Sequence, residues 1–383
     1  MPPISIAAYT GTRAEYGLLK HLIKALQSDT TYDFRLLVSG SHLSPDHGYT
    51  LSEIYNDGVT DIESIPLPLS ADTPLSMAEL CGVSLIEVSK VLRKLQPDLI
   101  FLLGDRYETF SAASASHLLG IPVAHLHGGE STIGAVDDKL RHAITQLSTW
   151  HFTSAEPYRQ RVIAMGHEPS HVFNIGPMVL DGLMKAPPTS REAFQASTGF
   201  RFGSSNLLVT YHPETLLADY GVQGFQALIH ALSKIDSHIL FTYPNADSGS
   251  DQILELLLAF SQAYSERVWV IPSLGQALYI SAMKLFDCVV GNSSSGVIEA
   301  PLVGIPVINL GDRQLGRHRF GSVSDIPLIQ SSIEDSLQTV LSTIPVGQRA
   351  DQHLSFEQTS PTELILRWLN ANFQIQQSSD TIK

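Results

Sequence analysis

The stretch Leu99–Glu108 reads LIFLLGDRYE, and its pattern is the one that predicts the fold. Its first five residues, Leu99–Leu103, are all apolar, which is typical of a short strand buried on both faces. The polar run Gly104–Glu108 follows at once, and a predicted helix continues from Glu108 to Leu119. We interpret this order of buried strand, polar loop and helix as one unit of a parallel α/β sheet.

The same alternation recurs along most of the chain, with segments of helical spacing such as Met77–Leu95 between short apolar runs. It predicts two doubly wound, Rossmann-like parallel sheets. The other predicted strands are Ile4–Tyr9, Phe34–Val38, Val123–Leu126, Val172–Ile175, Leu207–Thr210, Ile239–Thr242, Val268–Ile271, Cys288–Val290 and Val307–Asn309.

A change of composition between residues 184 and 206, where prolines, glycines and serines collect, indicates a linker with at most one short helix. We therefore predict an N-terminal domain over residues 1–185 and a second domain over residues 186–357. The remaining segment, 358–383, contains a predicted helix, Pro361–Phe373.

Composition and charge exclude several classes of protein. The 383 residues are 43% hydrophobic and 16% charged, which is typical of a globular chain of two or so domains. The net charge of −14 leaves no broad basic surface for nucleic acid or an anionic membrane, so we expect a small-molecule ligand. No apolar run approaches the length of a membrane span, and the N-terminus lacks a signal-peptide pattern, which predicts a cytoplasmic protein. Cys81 and Cys288 are expected to be free thiols.

Polar side chains collect where the predicted strands end. Ligands of open parallel sheets bind beyond the carboxyl ends of the strands. Seven such polar loops on two domains therefore predict an active site in the cleft between the domains. These loops are Thr10–Gly17, Gly40–His42, Gly104–Glu108, His125–Glu130, Tyr211–Glu214, Tyr243–Asp247 and Gly291–Gly296.

Standard cofactor and nucleophile signatures do not match. No G-x-G-x-x-G follows the first strand, so a nicotinamide fingerprint has no support. The glycine-rich run Gly311–Arg317 lacks the P-loop lysine, and Ser295 replaces a required glycine of the nucleophile elbow around Ser293. His167–His171 has the letters of a zinc motif, but Pro169 is incompatible with the helix that this motif needs. We predict no metal and no organic cofactor.

The loop Gly291–Gly296 contains three serines in series before a predicted helix that starts at Ser294. An N-cap serine and a tight turn would explain part of this pattern. Hydroxyl groups beside the free N–H groups of a helix start also suit a phosphate. Glu299 lies further along this helix, where it is either an exposed residue or a partner of ribose hydroxyls. Arginines that suit phosphate oxygens follow three strand ends, at Arg13, Arg106 and Arg313.

Eight motifs in this order resemble one family, the hydrolysing UDP-N-acetylglucosamine 2-epimerases of bacterial sialic-acid and legionaminic-acid pathways. The resemblance implies the two-domain GT-B fold, a final helix that packs back on the first domain, and a homodimer. The motifs are Thr10–Gly17, Gly104–Glu108, His127–Glu130, Asp138–Thr145, His212–Thr215, Asn245–Asp251, Gly291–Gly296 and Asn309–Gln314.

The resemblance also implies roles for individual residues. UDP contacts are expected at Arg13, His212, Asn245, Ser293, Ser294, Glu299 and Arg313, and contacts to the sugar at Asp105, Arg106, Glu130, Asp138 and Arg141. Asp105 is the first candidate for the catalytic carboxylate, Glu130 is the second, and His212 would donate near the phosphates. His127 stands where related epimerases carry a catalytic glutamate, so either His127 or Glu130 takes that role.

The activity that the resemblance implies is hydrolytic. UDP leaves C1 while a base removes H-2, and water then adds to the resulting 2-acetamidoglucal to release a free manno-configured sugar. A base of this kind is effective if burial raises its pKa toward neutrality. The sugar is N-acetylglucosamine or its 2,4-diacetamido-6-deoxy relative, for which the segment Leu69–Pro74 is a candidate contact. The alternatives are a GT-B glycosyltransferase, a nonhydrolysing 2-epimerase and a nucleotide-sugar sensor.

Overall fold

A computed structural model describes residues 3–44, 49–67, 74–131, 136–214, 217–244, 249–343 and 359–379. Asn245 and most of the segment Leu69–Pro74 lie outside these ranges. The chain divides into two compact units. The first unit comprises Met1–Gly182 with Gln358–Lys383, and the second comprises Leu183–Glu357.

The first unit is built on a parallel sheet, which has seven strands within the described residues and the order β3-β2-β1-β4-β5-β6-β7. Its strands are β1 (Ile4–Thr10), β2 (Tyr32–Ser39), β3 (Ile62–Ile65), β4 (Leu99–Leu103), β5 (Val123–Leu126), β6 (Trp150–Thr153) and β7 (Val172–Asn174). The helices that alternate with them are α1 (Arg13–Ser28), α2 (Leu51–Asn56), α3 (Pro74–Leu95), α4 (Tyr107–Leu118), α5 (Val136–Leu147) and α6 (Glu156–Ala164). The helix α7 (Val179–Lys185) follows, and the chain leaves the first unit within it.

The second unit contains another parallel sheet, with the order β10-β9-β8-β11-β12-β13 among the strands that the structure describes. These strands are β8 (Asn206–Thr210), β9 (His238–Thr242), β10 (Val268–Ile271), β11 (Cys288–Gly291), β12 (Val307–Leu310) and β13 (Val323–Ile326). Its helices are α8 (Arg191–Thr198), α9 (Val222–Ser233), α10 (Ser250–Ala263), α11 (Gly275–Leu285), α12 (Ser294–Leu302) and α13 (Gln330–Thr343).

The final helix, α14 (Pro361–Ser379), packs within the first unit. The indole ring of Trp368 lies 5.0 Å from the rings of both Trp150 and Phe152. At the start of this helix, the fully buried carboxylate of Asp181 in α7 accepts hydrogen bonds from the backbone N–H of Thr362 and from its hydroxyl. Aromatic burial and this buried carboxylate together fix the returning segment.

Central strands form because their apolar residues are buried on both faces, and all five residues of β4 are buried. The predicted strands are confirmed, but β3, β6 and β13 were not predicted. Only one residue of β3 is buried and none of β13 is, so edge strands such as these lack a continuous apolar run. The strand β6 has the sequence WHFT, in which a buried histidine interrupts the apolar pattern.

Each sheet has one point at which the strand order reverses. This switch point lies between β1 and β4 in the first unit and between β8 and β11 in the second. The loops that leave such neighbouring strands form the crevice in which ligands of doubly wound sheets bind. The polar loops Thr10–Gly17 and Gly104–Glu108 follow one such pair, and Tyr211–Glu214 and Gly291–Gly296 follow the other.

Candidate active site

Hydrogen bonds at the start of α1 hold the loop that follows β1 in the first unit. Thr12 is the N-cap of α1, and its side chain accepts the backbone N–H of Glu15, which completes a capping box. The carboxylate of Glu15 in turn accepts the backbone N–H of Gly11 at 2.8 Å. The carbonyl of Gly11 accepts the backbone N–H of Ser41 at 2.9 Å, which ties the loops after β1 and β2 together. Arg13 is exposed and pairs with Glu53 at 3.0 Å.

Arg106 at the end of β4 is held by a carboxylate that sequence reasoning did not identify. Its Nε and one terminal nitrogen each lie 3.1 Å from an oxygen of Glu108, which is buried. Glu15 lies in the same cluster, and burial raises its pKa to about 7 although the Gly11 N–H and Arg106 both favour its ionised form. This cluster fixes the guanidinium of Arg106 at the switch point.

Arg141 brings two of the predicted acidic residues together. The helix α5 places Asp138 and Arg141 one turn apart on one face. The Arg141 guanidinium donates to Asp105 and lies 3.5 Å from Asp138. The loop that carries Asp105 is supported by His125, whose Nε2 lies 2.8 Å from the carbonyl oxygen of Gly104. Arg141 is 5% exposed, and its Nη1, the nitrogen that faces Asp138, is buried and makes no hydrogen bond to the described residues beyond this ion pair.

Glu130 lies beside His127 and Ser154. Its Oε1 accepts the Ser154 hydroxyl at 2.6 Å and lies 3.1 Å from His127 Nδ1. Burial alone would raise the pKa of Glu130, but His127, Arg141 and Ser154 outweigh burial and lower the pKa to about 2. Glu130 therefore does not meet the condition that burial raise the pKa of a catalytic base toward neutrality, because these partners favour the ionised form more strongly than burial disfavours it.

The switch point of the second unit is organised by Asn292, which sequence reasoning did not select. The Asn292 side chain accepts the His212 backbone N–H at 2.7 Å and donates to the His212 carbonyl at 2.9 Å. The Asn292 carbonyl accepts Arg313 at 3.3 Å and Gln314 at 2.8 Å. Three strand-end loops therefore meet at one residue, Asn292. A side chain at Gly291 would meet the Thr210 carbonyl at 1.9 Å, so only glycine permits this close approach.

The serines start the helix α12 as the sequence predicts. Ser293 is the N-cap, but its side chain makes no capping bond; its hydroxyl lies 3.0 Å from that of Ser295. Ser295 is anchored by Tyr279 at 2.7 Å. The backbone N–H groups at this helix start, together with Ser293 and Ser294, form a site that suits a phosphate.

Two titratable residues belong to this region, His212 in the neighbouring loop and Glu299 in the second turn of α12. Burial, with a smaller contribution from Arg313, lowers the pKa of His212 to about 4, so the imidazole is neutral at pH 7 and offers an N–H rather than a full charge. Burial raises the pKa of Glu299 to about 7. The Glu299 carboxylate makes no hydrogen bond or ion pair within the described ranges, so it is available for a ligand.

The two switch points differ in what they can do chemically. The first unit pairs Asp105 and Asp138 with Arg141, and Glu130 with His127, an arrangement suited to proton transfer and charge stabilisation. The second unit offers hydroxyls, helix N–H groups and Arg313, which suit a diphosphate.

Among the residues that the structure describes, no group of three or more histidines, cysteines or acidic residues could hold a metal ion. Cys81 and Cys288 are free thiols, as predicted. No helix in the described ranges is long and apolar enough to cross a membrane.

Comparisons with known proteins agree with this reading. The sequence profile of the UDP-N-acetylglucosamine 2-epimerase family matches residues 24–370. The GDP/UDP-N,N'-diacetylbacillosamine 2-epimerase (hydrolyzing) of Campylobacter jejuni is 35% identical over 84% of this chain and 83% of its own length. The UDP-N,N'-diacetylbacillosamine 2-epimerase (hydrolyzing) of Legionella pneumophila is 36% identical over 87% of each chain.

A solved structure supports the fold independently. The UDP-GlcNAc 2-epimerase of Neisseria meningitidis, in a crystal structure bound to UDP-GlcNAc, superposes with a TM-score of 0.78 at 18% identity, over 96% of this chain and all of that one. The predicted GT-B-like class with two Rossmann-like parallel sheets is thus confirmed. Fold, strand-end motifs and sequence similarity lead to one conclusion: this chain belongs to the UDP-N-acetylglucosamine 2-epimerase family.

Proposed function

We propose that this protein is a hydrolysing 2-epimerase that converts a UDP-linked, N-acetylated gluco-configured sugar and water into UDP and the free manno-configured sugar. The observation that carries the proposal is the pairing of Asp105 and Asp138 with Arg141 in the first unit, together with Glu130, whose pKa Arg141 helps to lower. A protein that only binds a nucleotide has no need of this acidic cluster, because carboxylates weaken the binding of an anion. Membership of the family and the hydrolysing relatives support the same activity.

The first chemical step is the departure of UDP from C1. Negative charge then builds on the diphosphate, and the N-terminus of α12, Ser293, Ser294, Arg313 and the N–H of His212 would stabilise it. Positive character builds at C1 at the same time and makes H-2 easier to remove. Asp105 is our first candidate for the base that takes this proton, since Arg141 holds it in place.

The second step adds water across the 2-acetamidoglucal. A proton reaches C2 on the face opposite to the one from which H-2 left, which gives the manno configuration, and hydroxide adds to C1. Glu130, ionised and beside Arg141, suits the stabilisation of positive charge at C1. Asp138, which pairs with Arg141, is the remaining candidate for the proton donor. This route requires neither a hydride carrier nor a metal.

The remaining contacts concern the nucleotide. We assign Arg13, Arg106 and Asn245 to the UDP-sugar by their motifs, and Glu299 to the two ribose hydroxyls. We also expect a cytoplasmic homodimer, and light scattering after size-exclusion chromatography tests the dimer.

For the sugar we favour the 2,4-diacetamido-6-deoxy substrate over N-acetylglucosamine, because both relatives described above are named for diacetylbacillosamine. Competition between the two UDP-sugars in one tube tests this choice. Preferred consumption of UDP-N-acetylglucosamine would contradict it.

Incubation with each UDP-sugar, followed by NMR of the sugar, tests the activity itself. We expect free manno sugar and UDP in equal amounts. An equilibrium mixture of two UDP-sugars would indicate a nonhydrolysing epimerase. Binding without turnover would indicate a sensor, and turnover that requires an added acceptor would indicate a glycosyltransferase.

A further inference from the structure

His127 has an unusual backbone conformation for its residue type. Its φ is +63°, in the left-handed region that residues other than glycine rarely adopt. The following glycines are packed closely: a side chain at Gly129 would meet the Tyr158 carbonyl at 2.6 Å, and one at Gly128 would meet His125 at 2.9 Å. The backbone after β5 is thus fixed from both sides, and it directs the His127 ring toward partners that determine its chemistry.

Both ring nitrogens of His127 are occupied. Nε2 accepts the backbone N–H of Met178 at 3.1 Å, and Nδ1 lies 3.1 Å from Glu130 Oε1. A backbone N–H can only donate, so Nε2 carries no proton, and the single proton of the neutral ring lies on Nδ1, where it points at Glu130. A proton added to Nε2 would face the Met178 N–H and break this bond. The imidazole therefore has no free nitrogen with which to exchange a proton with a sugar.

The Glu130 carboxylate is held by one of its two oxygens. Oε1 receives both the His127 ring N–H and the hydroxyl of Ser154, which is 2% exposed. Oε2 has no hydrogen-bond partner among the described residues, and the Glu130 side chain is 14% exposed. One oxygen is therefore anchored, and the other is available to a ligand.

We infer that His127 is a positioning residue that holds Glu130 by Oε1 and presents Oε2 to the sugar, and that Glu130 alone takes the role of the catalytic glutamate that His127 replaces. This assignment rests on the proposed function. It separates two residues that sequence comparison leaves equivalent. It also explains why a histidine occupies a left-handed position, since its ring connects the β5 loop to the backbone of Met178 immediately before α7.

Nitrogen-15 NMR of histidine-labelled full-length protein tests the geometry without any substrate. The His127 signals are identified by their loss in His127→Asn. We expect, at slightly alkaline pH, a protonated Nδ1 and an unprotonated Nε2. The opposite tautomer would overturn the assignment, whatever the enzyme's activity. Absence of turnover in the wild-type protein would instead contradict the proposed function and leave this readout valid.

Kinetics of paired variants test the role. His127→Asn suits the left-handed backbone and keeps a donor near the Nδ1 position, whereas His127→Gln loses that donor. We expect kcat to fall by about tenfold or less in His127→Asn and further in His127→Gln. KM should change little in both, and the pH–rate profile of His127→Asn should keep its shape. In Glu130→Gln, kcat should fall by roughly 10²-fold or more, the usual scale for the loss of an acid–base or charged group.

His117→Asn, at an exposed position near the end of α4, is the matched control and should behave as wild type. The role is contradicted if His127→Asn, with normal UDP binding, is as inactive as Glu130→Gln and loses a limb of the pH–rate profile. That result would make the imidazole itself the acid–base group.

Discussion

The switch points of the two sheets occupy equivalent places in their folds and are built from different chemistry. In the first unit, Arg106 and Arg141 are each bound to carboxylates, and Glu130 is kept ionised by its partners. In the second unit, an amide, Asn292, organises the loops, and hydroxyls and helix N–H groups line the helix start. The carboxylate of Glu299 makes no hydrogen bond or ion pair within the described ranges, and burial raises its pKa to about 7.

This difference shows how two copies of one sheet architecture can serve two purposes, chemistry on the sugar and binding of the nucleotide. Fixed pairs of opposite charge hold acidic groups at set positions, which suits chemistry on a neutral sugar. The second unit presents mostly uncharged hydrogen-bond donors. An anion can bind to them without first breaking an ion pair, which suits a nucleotide that must bind and leave. We therefore expect substitutions in the first unit to affect turnover and those in the second to affect UDP affinity.

The largest expected effect is that of Asp105→Asn. The change keeps the shape of the side chain but removes the charge that faces Arg141 and the ability to take a proton. We predict a fall in turnover of roughly 10²-fold or more, with UDP affinity within a few-fold of wild type. Steady-state kinetics and UDP calorimetry measure the two quantities. Asp33→Asn, at an exposed position in β2, is the control, and near-normal turnover in folded Asp105→Asn would remove this residue from the mechanism.

A smaller effect, on UDP affinity rather than on turnover, is expected for Arg313→Ala and Ser294→Ala. Each removes a donor that we assign to the diphosphate, and a hydrogen bond to a charged group contributes about 1.5–3 kcal/mol. We predict UDP affinity weaker by about tenfold or more in each variant, with the rate of H-2 exchange at saturation changed less. Arg201→Ala is an exposed control with the same change of charge. Unchanged affinity in both variants would mean that the diphosphate binds elsewhere.

The smallest expected effect is the pH dependence that Glu299 adds to UDP binding. Its pKa is about 7 in the free protein, and ribose hydroxyls that donate to the carboxylate would favour the ionised form. Affinity should therefore fall as pH drops below 7, since a proton must first leave, and should level off above it. The phosphate of UDP also titrates near this range, so the test is the difference from Glu299→Gln. Identical pH profiles for the two proteins would contradict the ribose assignment.

Sequence patterns predicted the features that depend on residues close together in the sequence. The strand β4 with its polar loop, the start of α12 at Ser294, and the acidic and basic side chains at strand ends all follow from short-range spacing. Contacts between distant residues were not predictable in this way. Ser154 bonds to Glu130 over 24 residues, Asn292 to His212 over 80, and neither pair has a sequence signature. The lowered pKa of Glu130 depends on such partners, so its direction could not be read from burial.

The central claim is that UDP leaves by elimination and water then adds to the glycal, and turnover in D₂O tests it most directly. The proton taken from C2 exchanges with solvent, and a solvent-derived proton forms the new bond on the other face. We predict a released sugar with one deuterium at C2 and the manno configuration, observed by NMR alongside free UDP. A hydride route would return the original hydrogen to C2, and simple hydrolysis at C1 would keep both that hydrogen and the gluco configuration. A protiated C2 in the product from D₂O would contradict the account.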